Sequence, residues 1–222
     1  MQFSGQHEDF VIAALAWLTD FAVKNNFEFK VVNNANEIDE DLLSKCQEVI
    51  QLNYAPYNWG DKAMAAFEKY IQEGHGGWIG FHHASLLGEF DGFPMWNWFA
   101  DFMGGIRFKN YIASTVAATV LVEDKIHPFM KGVPSSFIIK DEEWYTFDKD
   151  PRPNVRVLAS VDESSYKPSS DIKMGDHPVI WTNEKMKARN VYSLMGHNPS
   201  LLKSDDFTKM FSNAIIWAAG GK

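Results

Sequence analysis

Segments with helical spacing alternate with short apolar segments along the first 82 residues, and this alternation restricts the fold more than any other feature. Apolar residues recur every three or four positions over residues 9–25 and 61–73, which predicts helices, and residues 38–46 predict a shorter one. The predicted strands lie at residues 27–32, 48–53 and 77–82. Strands that are joined through helices pair in parallel. The sequence therefore predicts an α/β fold with a parallel sheet.

The second half of the sequence predicts strands with few helices between them. Short apolar segments separated by turn residues occupy residues 114–122, 136–140, 155–161, 178–182 and 190–194. A final helix over residues 207–218 has its apolar residues on one stripe, with Ser204 as N-cap and Gly220 as stop. We expect these strands to continue the sheet in a mixed arrangement.

Composition and charge limit the class of protein. The 222 residues are 45% hydrophobic, which is enough for one domain, residues 1–222, with a sizeable core. The net charge of −8 argues against a nucleic-acid partner, because an acidic surface repels phosphate groups. The single cysteine, Cys46, excludes an intrachain disulfide and a zinc cluster made of cysteines. No apolar run approaches the roughly 20 residues that span a bilayer.

The N-terminus carries no recognisable targeting signal, since no apolar stretch follows Met1. The chain opens into a polar segment that is typical of the loop after a strand, and the strand itself is nearly absent. We expect a cytoplasmic protein if the natural chain begins at Met1, and a periplasmic or secreted one if an export signal has been removed.

Histidines stand at the ends of three predicted strands. His7 follows the segment at the start of the chain, His82 ends the strand over residues 77–82, and His197 follows the strand over residues 190–194. Because the carboxyl ends of parallel strands meet at one edge of a sheet, we expect these three histidines to line one site. His83 is adjacent to His82, and neighbouring strand residues point to opposite faces. We therefore expect one of the two to be functional and the other packed, unless the backbone turns sharply.

Glu143 is a candidate acid or base. It follows Asp141 and Glu142 and precedes two aromatic residues, Trp144 and Tyr145. Apolar rings and a like charge both raise the pKa of a carboxyl group, which favours a role in proton transfer. The alternative is a loop carboxylate that accepts backbone N–H groups, which would lower its pKa.

Several further residues are candidates for substrate binding. Flat aromatic rings beside polar loops suit sugar faces, and loop histidines and carboxylates suit hydroxyl groups. The candidates are His83, Asp176, His177, Trp144, Tyr145, Trp96 and Asn53. No motif identifies a cofactor, although clustered histidines suit a divalent metal ion such as zinc. His127 and His75 are interpreted as structural.

Taken together, these motifs resemble the ThuA-like (trehalose-utilisation) family, and the resemblance covers essentially the whole chain in order. The matching motifs lie at residues 5–9, 76–82, 103–105, 123–124 with 127–128, 142–145, 175–178 with 181, 196–197 and 216–220. The family usually has a full strand before the first motif, and this chain barely has one.

The resemblance implies a class I glutamine amidotransferase-like fold, which is a flavodoxin-like, doubly wound, mainly parallel sheet with helices on both faces and an antiparallel or mixed extension. In that wider group a cysteine nucleophile stands at the turn that His82 occupies here. That group also has a carboxylate shortly after the histidine that matches His197. This chain has Asn198, Pro199 and Ser200 in its place, so the carboxylate is missing. The resemblance therefore implies that glutamine hydrolysis by a thiolate is lost.

The resemblance also implies a small-molecule carbohydrate as partner, because the family is associated with disaccharide use through 3-keto sugars. A keto sugar has an acidic C–H beside its carbonyl, which histidines and a carboxylate can deprotonate. Our leading hypothesis is a lyase, hydrolase or isomerase of a (3-keto) disaccharide, with the catalytic residues His82, His197, Glu143 and His7. The alternatives are a non-catalytic carbohydrate-binding or accessory protein and a metal-dependent hydrolase of non-sugar substrates. A homo-oligomer is compatible with the sequence.

Overall fold

The structure is a computed structural model that describes residues 7–89 and 92–220. Its helices are α1 (Glu8–Asn25), α2 (Glu40–Ser44), α3 (Asp61–Glu73), α4 (Asn97–Phe102) and α5 (Asp205–Ala218). Its strands are β1 (Glu48–Leu52), β2 (Gly77–Phe81), β3 (Phe108–Tyr111), β4 (Val116–Val122), β5 (Ser136–Glu142), β6 (Tyr145–Phe147), β7 (Arg156–Lys167), β8 (Pro178–Thr182) and β9 (Asn190–Ser193).

Seven of these strands form one sheet in the order β1-β2-β9-β8-β7-β4-β5, and β3 pairs with β6 in a smaller sheet. The α/β class is confirmed. The expectation of a mainly parallel sheet is wrong for the described strands, because the larger sheet has two parallel and four antiparallel pairs. The reason is the connections: those from β4 to β5 and from β8 to β9 contain no α-helix, and antiparallel strands need none.

The strand predicted over residues 27–32 is absent. This segment is irregular and mostly exposed, and no described strand pairs with it. Its β-branched and aromatic residues favour a strand only when a partner strand and a packing surface are available. The nearly absent strand expected at the start of the chain falls on residues 1–6, which lie outside the described residues.

Helices cover both faces of β2, which makes this strand the centre of the core. The ring of Trp78 packs 5.0 Å from that of Phe102 in α4. The ring of Phe81 lies 5.9 Å from Phe10 in α1 and 4.9 Å from Phe211 in α5. Positions 78 and 81 are an odd number of residues apart, so their side chains point to opposite faces of the strand. Both faces therefore hold the carboxyl end of β2 in place.

The antiparallel part of the sheet curls, so that its outer strand ends near the parallel part. The pairing directions make β5 run the same way as β1, β2 and β9. Register shifts interrupt the β4–β5, β4–β7 and β7–β8 pairs, and such bulges increase strand twist. The last residue of β5, Glu142, consequently accepts hydrogen bonds from backbone N–H groups after β9, although three strands separate β5 from β9 in the sheet.

Local sequence signals locate α3 and α5 well, whereas α4, β3 and β6 were not predicted and β7 extends beyond the strand expected over residues 155–161. Helix α3 has the predicted bounds, and Gly74 ends it with a left-handed φ of 74°. Helix α5 begins where Ser204 accepts the backbone N–H of Phe207, as the predicted N-cap requires. In the part of the chain that the structure describes, no helix combines the length and apolar character needed to cross a bilayer.

Candidate active site

Three histidine rings converge on one carboxylate oxygen at the carboxyl edge of the sheet. Oε2 of Glu143 lies 3.2 Å from Nε2 of His82 and 3.5 Å from Nδ1 of His197. The same oxygen lies 3.7 Å from Nε2 of His7. The ring centroid of His7 is 3.9 Å from that of His197 and 5.0 Å from that of His82. The structure thus brings together the four residues that the sequence analysis assigned to catalysis, which we call the histidine–carboxylate cluster.

The backbone turns sharply where these side chains enter the site. His82 follows β2 in a 3₁₀ turn with a left-handed φ of 42°, and His7 precedes α1 with a φ of 53°. Asn53, directly after β1, has a φ of 49°. Such conformations are strained for residues other than glycine, and they concentrate at functional sites. The turn after Phe81 places both His82 and His83 beside His7, the arrangement that an extended strand would not allow.

Backbone groups fix the orientation of His82. Its Nδ1 lies 2.8 Å from the carbonyl oxygen of Leu194, which can only accept, so we assign the proton to Nδ1 and the lone pair to Nε2. The carbonyl oxygen of His82 accepts hydrogen bonds from the hydroxyl groups of Tyr192 and Ser85, both at 3.0 Å. These bonds stabilise the turn and direct Nε2 towards Glu143.

Glu142 connects the end of β5 to the loop after β9. Its fully buried carboxylate accepts the backbone N–H groups of Gly196 at 3.1 Å and of His197 and Glu143 at 3.0 Å each. An added Cβ at Gly196 would lie 3.0 Å from Cβ of His82, so the two loops approach closely because this residue has no side chain. Glu142 was not among the predicted site residues, although its position directly before Glu143 was a signal that could have identified it.

Burial favours the neutral form of the site histidines. Burial, followed by the neighbouring His82 and His197 rings, lowers the pKa of His7 to about 4. Burial also lowers the pKa of His83 to about 2 and the pKa of His82, although Glu143 opposes the latter shift. Neutral imidazoles are the form that accepts a proton or binds a metal ion.

The expected direction of the pKa shift at Glu143 is wrong. Burial does act to raise the pKa of this carboxyl group, as its aromatic neighbours suggested. When a neighbouring ring carries a proton on the nitrogen that faces Glu143, the contacts with His197 and His82 outweigh burial and hold the pKa of Glu143 below its usual range. The carboxylate is therefore charged at neutral pH and is the anionic partner of the rings. Glu142 has the raised pKa instead, about 8, because it is fully buried.

Tyr145, His83 and Asn53 border the cluster. The ring of Tyr145 stacks on His82 with centroids 4.2 Å apart, and the ring of His83 lies 4.6 Å from that of His7. The amide nitrogen of Asn53 donates to the carbonyl oxygen of Gly196 at 2.7 Å. Oδ1 of Asn53 and Nδ1 of His83 are buried and have no hydrogen-bond partner within the described chain. Both atoms have hydrogen-bonding capacity that no described group uses.

Trp96 and Trp144 lie in the core and do not face the cluster. The indole N–H of Trp96 donates to Glu68 at 2.7 Å, and that of Trp144 donates to the carbonyl oxygen of Val116 at 2.9 Å. Both side chains are almost entirely buried. The expectation that these rings flank a sugar is not met by their positions, because large aromatic residues gain more from burial in a core.

Asp176 and His177 also lie away from the cluster. Asp176 accepts a hydrogen bond from Nε of Arg152 at 2.6 Å on the surface. His177 is buried, with Nδ1 2.8 Å from Oε1 of Glu163 and Nε2 2.8 Å from the carbonyl oxygen of Tyr145. His177 therefore supports the backbone that carries Tyr145, and it has no ring nitrogen left for a substrate.

The four converging side chains are also the candidates for a metal site. Within residues 7–89 and 92–220, His7, His82, Glu143 and His197 form the one group of three or more such side chains whose donor atoms all lie within 4.8 Å of one another. The group offers three nitrogens and one oxygen, and it contains no thiol.

Comparison with known proteins gives one family and several similar structures. The profile of the ThuA family, described as trehalose utilisation, matches residues 2–218. A putative ThuA-like protein from Bacteroides uniformis is 26% identical with a TM-score of 0.87, and the match covers 98% of this chain and 87% of that one. A second putative ThuA-like protein, from Parabacteroides merdae, is 19% identical with a TM-score of 0.66, over 90% and 81% of the two chains.

A cytoplasmic protein from Salmonella typhimurium, STM3548, is 10% identical with a TM-score of 0.62, over 91% of this chain and 85% of that one. At this identity and at that of the Parabacteroides protein, the likeness concerns the fold. No curated protein matches the chain significantly. The family profile spans nearly the whole chain and includes all four residues of the cluster. The chain therefore belongs to the ThuA (trehalose utilisation) family.

Proposed function

We propose that this protein is an enzyme that processes a 3-keto sugar at the histidine–carboxylate cluster. Membership of the trehalose utilisation family implies a carbohydrate-related role. The observation that carries the proposal is the convergence of three imidazoles on one charged carboxylate oxygen, at 3.2 to 3.7 Å. Folding alone would disfavour such a group of partly buried polar side chains, whereas proton transfer needs it.

The chemistry of a keto sugar fits this set of groups. An imidazole removes the proton at C2, next to the C3 carbonyl, and the electron pair of that C–H bond forms an enolate. The enolate collapses back to the ketone, a C1–C2 double bond forms, and the C1–O bond breaks. The leaving sugar takes up the proton as an alcohol. Addition of water across the double bond would then give the hydrolysed product, so one centre supports a lyase or a hydrolase.

Glu143 has a supporting electrostatic role in this scheme. Its oxygen contacts all three rings of the cluster, so a ring that accepts the substrate proton becomes an imidazolium beside a carboxylate. The attraction between opposite charges stabilises the imidazolium. Amidotransferase chemistry is not part of the proposal, because the thiol of Cys46 donates to the carbonyl oxygen of Leu42 on α2, at 3.3 Å.

The non-catalytic alternative has less support. A carbohydrate-binding protein would present exposed aromatic rings to the sugar face, but Trp96 and Trp144 are packed in the core. Tyr145 is the candidate aromatic residue beside the cluster, and its ring stacks on His82. These placements favour the catalytic proposal over the accessory one.

The architecture around the cluster completes the proposal. We assign the parallel unit β1-β2-β9, with helices on both faces of β2, to the flavodoxin-like part of an amidotransferase-like fold, with residues 1–222 as one domain. In such folds the ligand binds beyond the carboxyl ends of the strands, where the cluster lies.

The experiment compares the 3-keto derivative of trehalose with trehalose itself. We expect the purified protein to release glucose or an unsaturated keto sugar from the keto derivative alone, detected by mass spectrometry and by the ultraviolet absorbance of the enone. Glu143→Gln and His197→Ala should each lower turnover by about 10²- to 10⁴-fold. His75→Ala, which removes an exposed histidine outside the cluster, is the matched control and should keep full activity.

Two results would count against the proposal. Equal turnover of trehalose and its keto derivative would exclude a mechanism that depends on the carbonyl. Tight binding of the keto sugar without any turnover would identify the protein as a carbohydrate-binding one.

A further inference from the structure

We propose that the histidine–carboxylate cluster is a metal centre, in which His7, His82, His197 and Glu143 bind one divalent first-row transition-metal ion. The inference deepens the assignment of the site, and it rests on the proposed function only for the identity of the substrate.

The spacing of the four donors matches a coordination shell. Donors that bind an ion at about 2.0–2.2 Å in a tetrahedron lie about 3.3–3.6 Å from one another. Oε2 of Glu143 is 3.2, 3.5 and 3.7 Å from the nearest nitrogens of His82, His197 and His7. All four donor atoms lie within 4.8 Å of one another. The three oxygen–nitrogen distances match this spacing, and small side-chain rotations would bring the remaining pairs of nitrogens within the reach of one ion.

The lone pairs in the cluster face one another and need a positive charge between them. The Nδ1 proton of His82 is committed to the carbonyl oxygen of Leu194, so the lone pair on Nε2 points at the Glu143 carboxylate. A proton on Nε2 would satisfy this pair alone. His7 would still lie next to the same oxygen, and Nδ1 of His197 is buried without a hydrogen-bond partner. One cation satisfies every group at once.

Residues around the cluster hold the metal-binding side chains in place, as a metal site requires. Histidine ligands usually donate their other ring N–H to a carbonyl or carboxylate oxygen, which fixes the tautomer. His82 donates its Nδ1–H in this way to the carbonyl oxygen of Leu194. The buried carboxyl group of Glu142 accepts hydrogen bonds from the backbone N–H groups of Glu143 and His197, so it holds two of the four metal-binding residues in place. Such support from backbone groups reduces the entropy that the donors lose on binding an ion.

The donor chemistry selects the class of ion. Three imidazole nitrogens and one carboxylate oxygen suit Zn²⁺, Mn²⁺, Fe²⁺, Co²⁺ or Ni²⁺, whereas Mg²⁺ and Ca²⁺ prefer shells made of oxygen. His82 is fully buried, but the side chains of His7, Glu143 and His197 retain 18%, 12% and 22% of their exposure. This accessible side leaves room for a water molecule or a sugar carbonyl as a fifth ligand, which an ion that expands from four to five ligands would polarise.

The test measures metal binding directly. The full chain is depleted of metal with a chelator and titrated calorimetrically with Zn²⁺, Mn²⁺, Co²⁺ and Ni²⁺, and with Mg²⁺ and Ca²⁺ as comparison ions. We expect one transition ion per chain and no comparable binding of Mg²⁺ or Ca²⁺. His82→Ala and Glu143→Gln should weaken the affinity by at least about 100-fold, the upper end of the loss caused by outer-group changes. His75→Ala should bind the ion as the wild type does.

Circular dichroism and denaturant unfolding of each variant separate loss of binding from loss of fold. The visible absorption of the Co²⁺ form provides a second readout, because it reports the coordination geometry and should change in a folded Glu143→Gln variant. Folded wild-type protein that binds none of the four transition ions would overturn the inference. Wild-type affinity in both folded cluster variants would also overturn it.

Failure of the metal centre and failure of the proposed function give different results. A stoichiometric ion in a protein without keto-sugar turnover supports the metal centre and rejects the sugar assignment. Turnover of the keto sugar by folded protein that binds no transition ion supports the function and rejects the metal centre.

Discussion

Replacement of Glu142 by alanine tests whether one buried carboxylate holds the site together. The substitution removes the acceptor for three backbone N–H groups, those of Glu143, Gly196 and His197. Each buried N–H group that loses its acceptor lowers the free energy of unfolding by about 1–3 kcal/mol. Water can reach the partly exposed residues Glu143 and His197, so we take about 1 kcal/mol for each and about 2 kcal/mol for Gly196, which is buried.

Loss of the three hydrogen bonds therefore lowers the free energy of unfolding by about 4 kcal/mol before any compensation. Alanine also removes the cost of burying a carboxyl group, which is visible in the pKa of Glu142 raised to about 8. We expect a net decrease of about 2–4 kcal/mol in the free energy of unfolding, and a Tm lower by roughly 4–16 °C for a chain of this size. Guanidinium unfolding and calorimetry measure both quantities.

Two comparisons make the result specific to the hydrogen bonds. Glu142→Gln keeps one acceptor oxygen and should recover part of the stability. Glu184→Ala removes an exposed carboxylate that pairs with Arg156, and it should cost less than about 1 kcal/mol. Metal affinity should fall by about 10- to 100-fold in folded Glu142→Ala, because Glu143 and His197 lose the hydrogen bonds that hold their backbone in place. A loss below about 0.5 kcal/mol with unchanged metal affinity would refute the role of Glu142, since each lost bond alone is worth more.

Two further predictions concern residues outside the cluster, and a third concerns glutamine hydrolysis. Hydrogen bonds from His177 and backbone groups outweigh burial and lower the pKa of Glu163 below 4.5, so its stabilising effect is present at neutral pH and is lost as pH falls through the lowered pKa. Wild-type protein should therefore lose more stability than Glu163→Gln between pH 7 and pH 3, measured by urea unfolding; parallel curves would contradict this. Asp176→Asn should leave keto-sugar turnover unchanged and cost less than about 1 kcal/mol, because its ion pair with Arg152 is exposed; a large rise in KM would place it in the site. The protein should release no ammonia from glutamine, because His82 and not a cysteine directly follows β2 and burial raises the pKa of the Cys46 thiol; release that survives Cys46→Ala but not His82→Ala would contradict this.

Four of the five described helices and several strands follow from local patterns, whereas α4 was not predicted. Helix α3 and strand β8 have the predicted bounds, because a stripe of apolar residues, a glycine stop or a run of β-branched residues acts within a few positions. The segment over residues 27–32 shows the limit of such patterns. Its composition favours a strand, but a strand forms only where a partner strand is available.

The site was predictable in part. His7, His82 and His197 were expected together because each follows a segment that the sequence predicts as a strand, and the carboxyl ends of parallel strands meet at one edge. Trp96 and Trp144 were assigned to the substrate because an aromatic side chain near a polar loop looks the same in a sequence whether it is packed or exposed. Only the tertiary contacts distinguish the two cases.

The sequence by itself determined the α/β class, the family and the histidines at the strand ends, because these depend on residue periodicity and on motifs that are local in the chain. Tertiary structure alone decided the direction of strands β4 and β8, the curl that brings β5 to β9, and the charge state of Glu143. The pKa of a carboxyl group depends on the distance to its neighbours. The nearest neighbours of Glu143 are His82 and His197, which lie 61 and 54 positions away in the chain but within 3.5 Å in the fold.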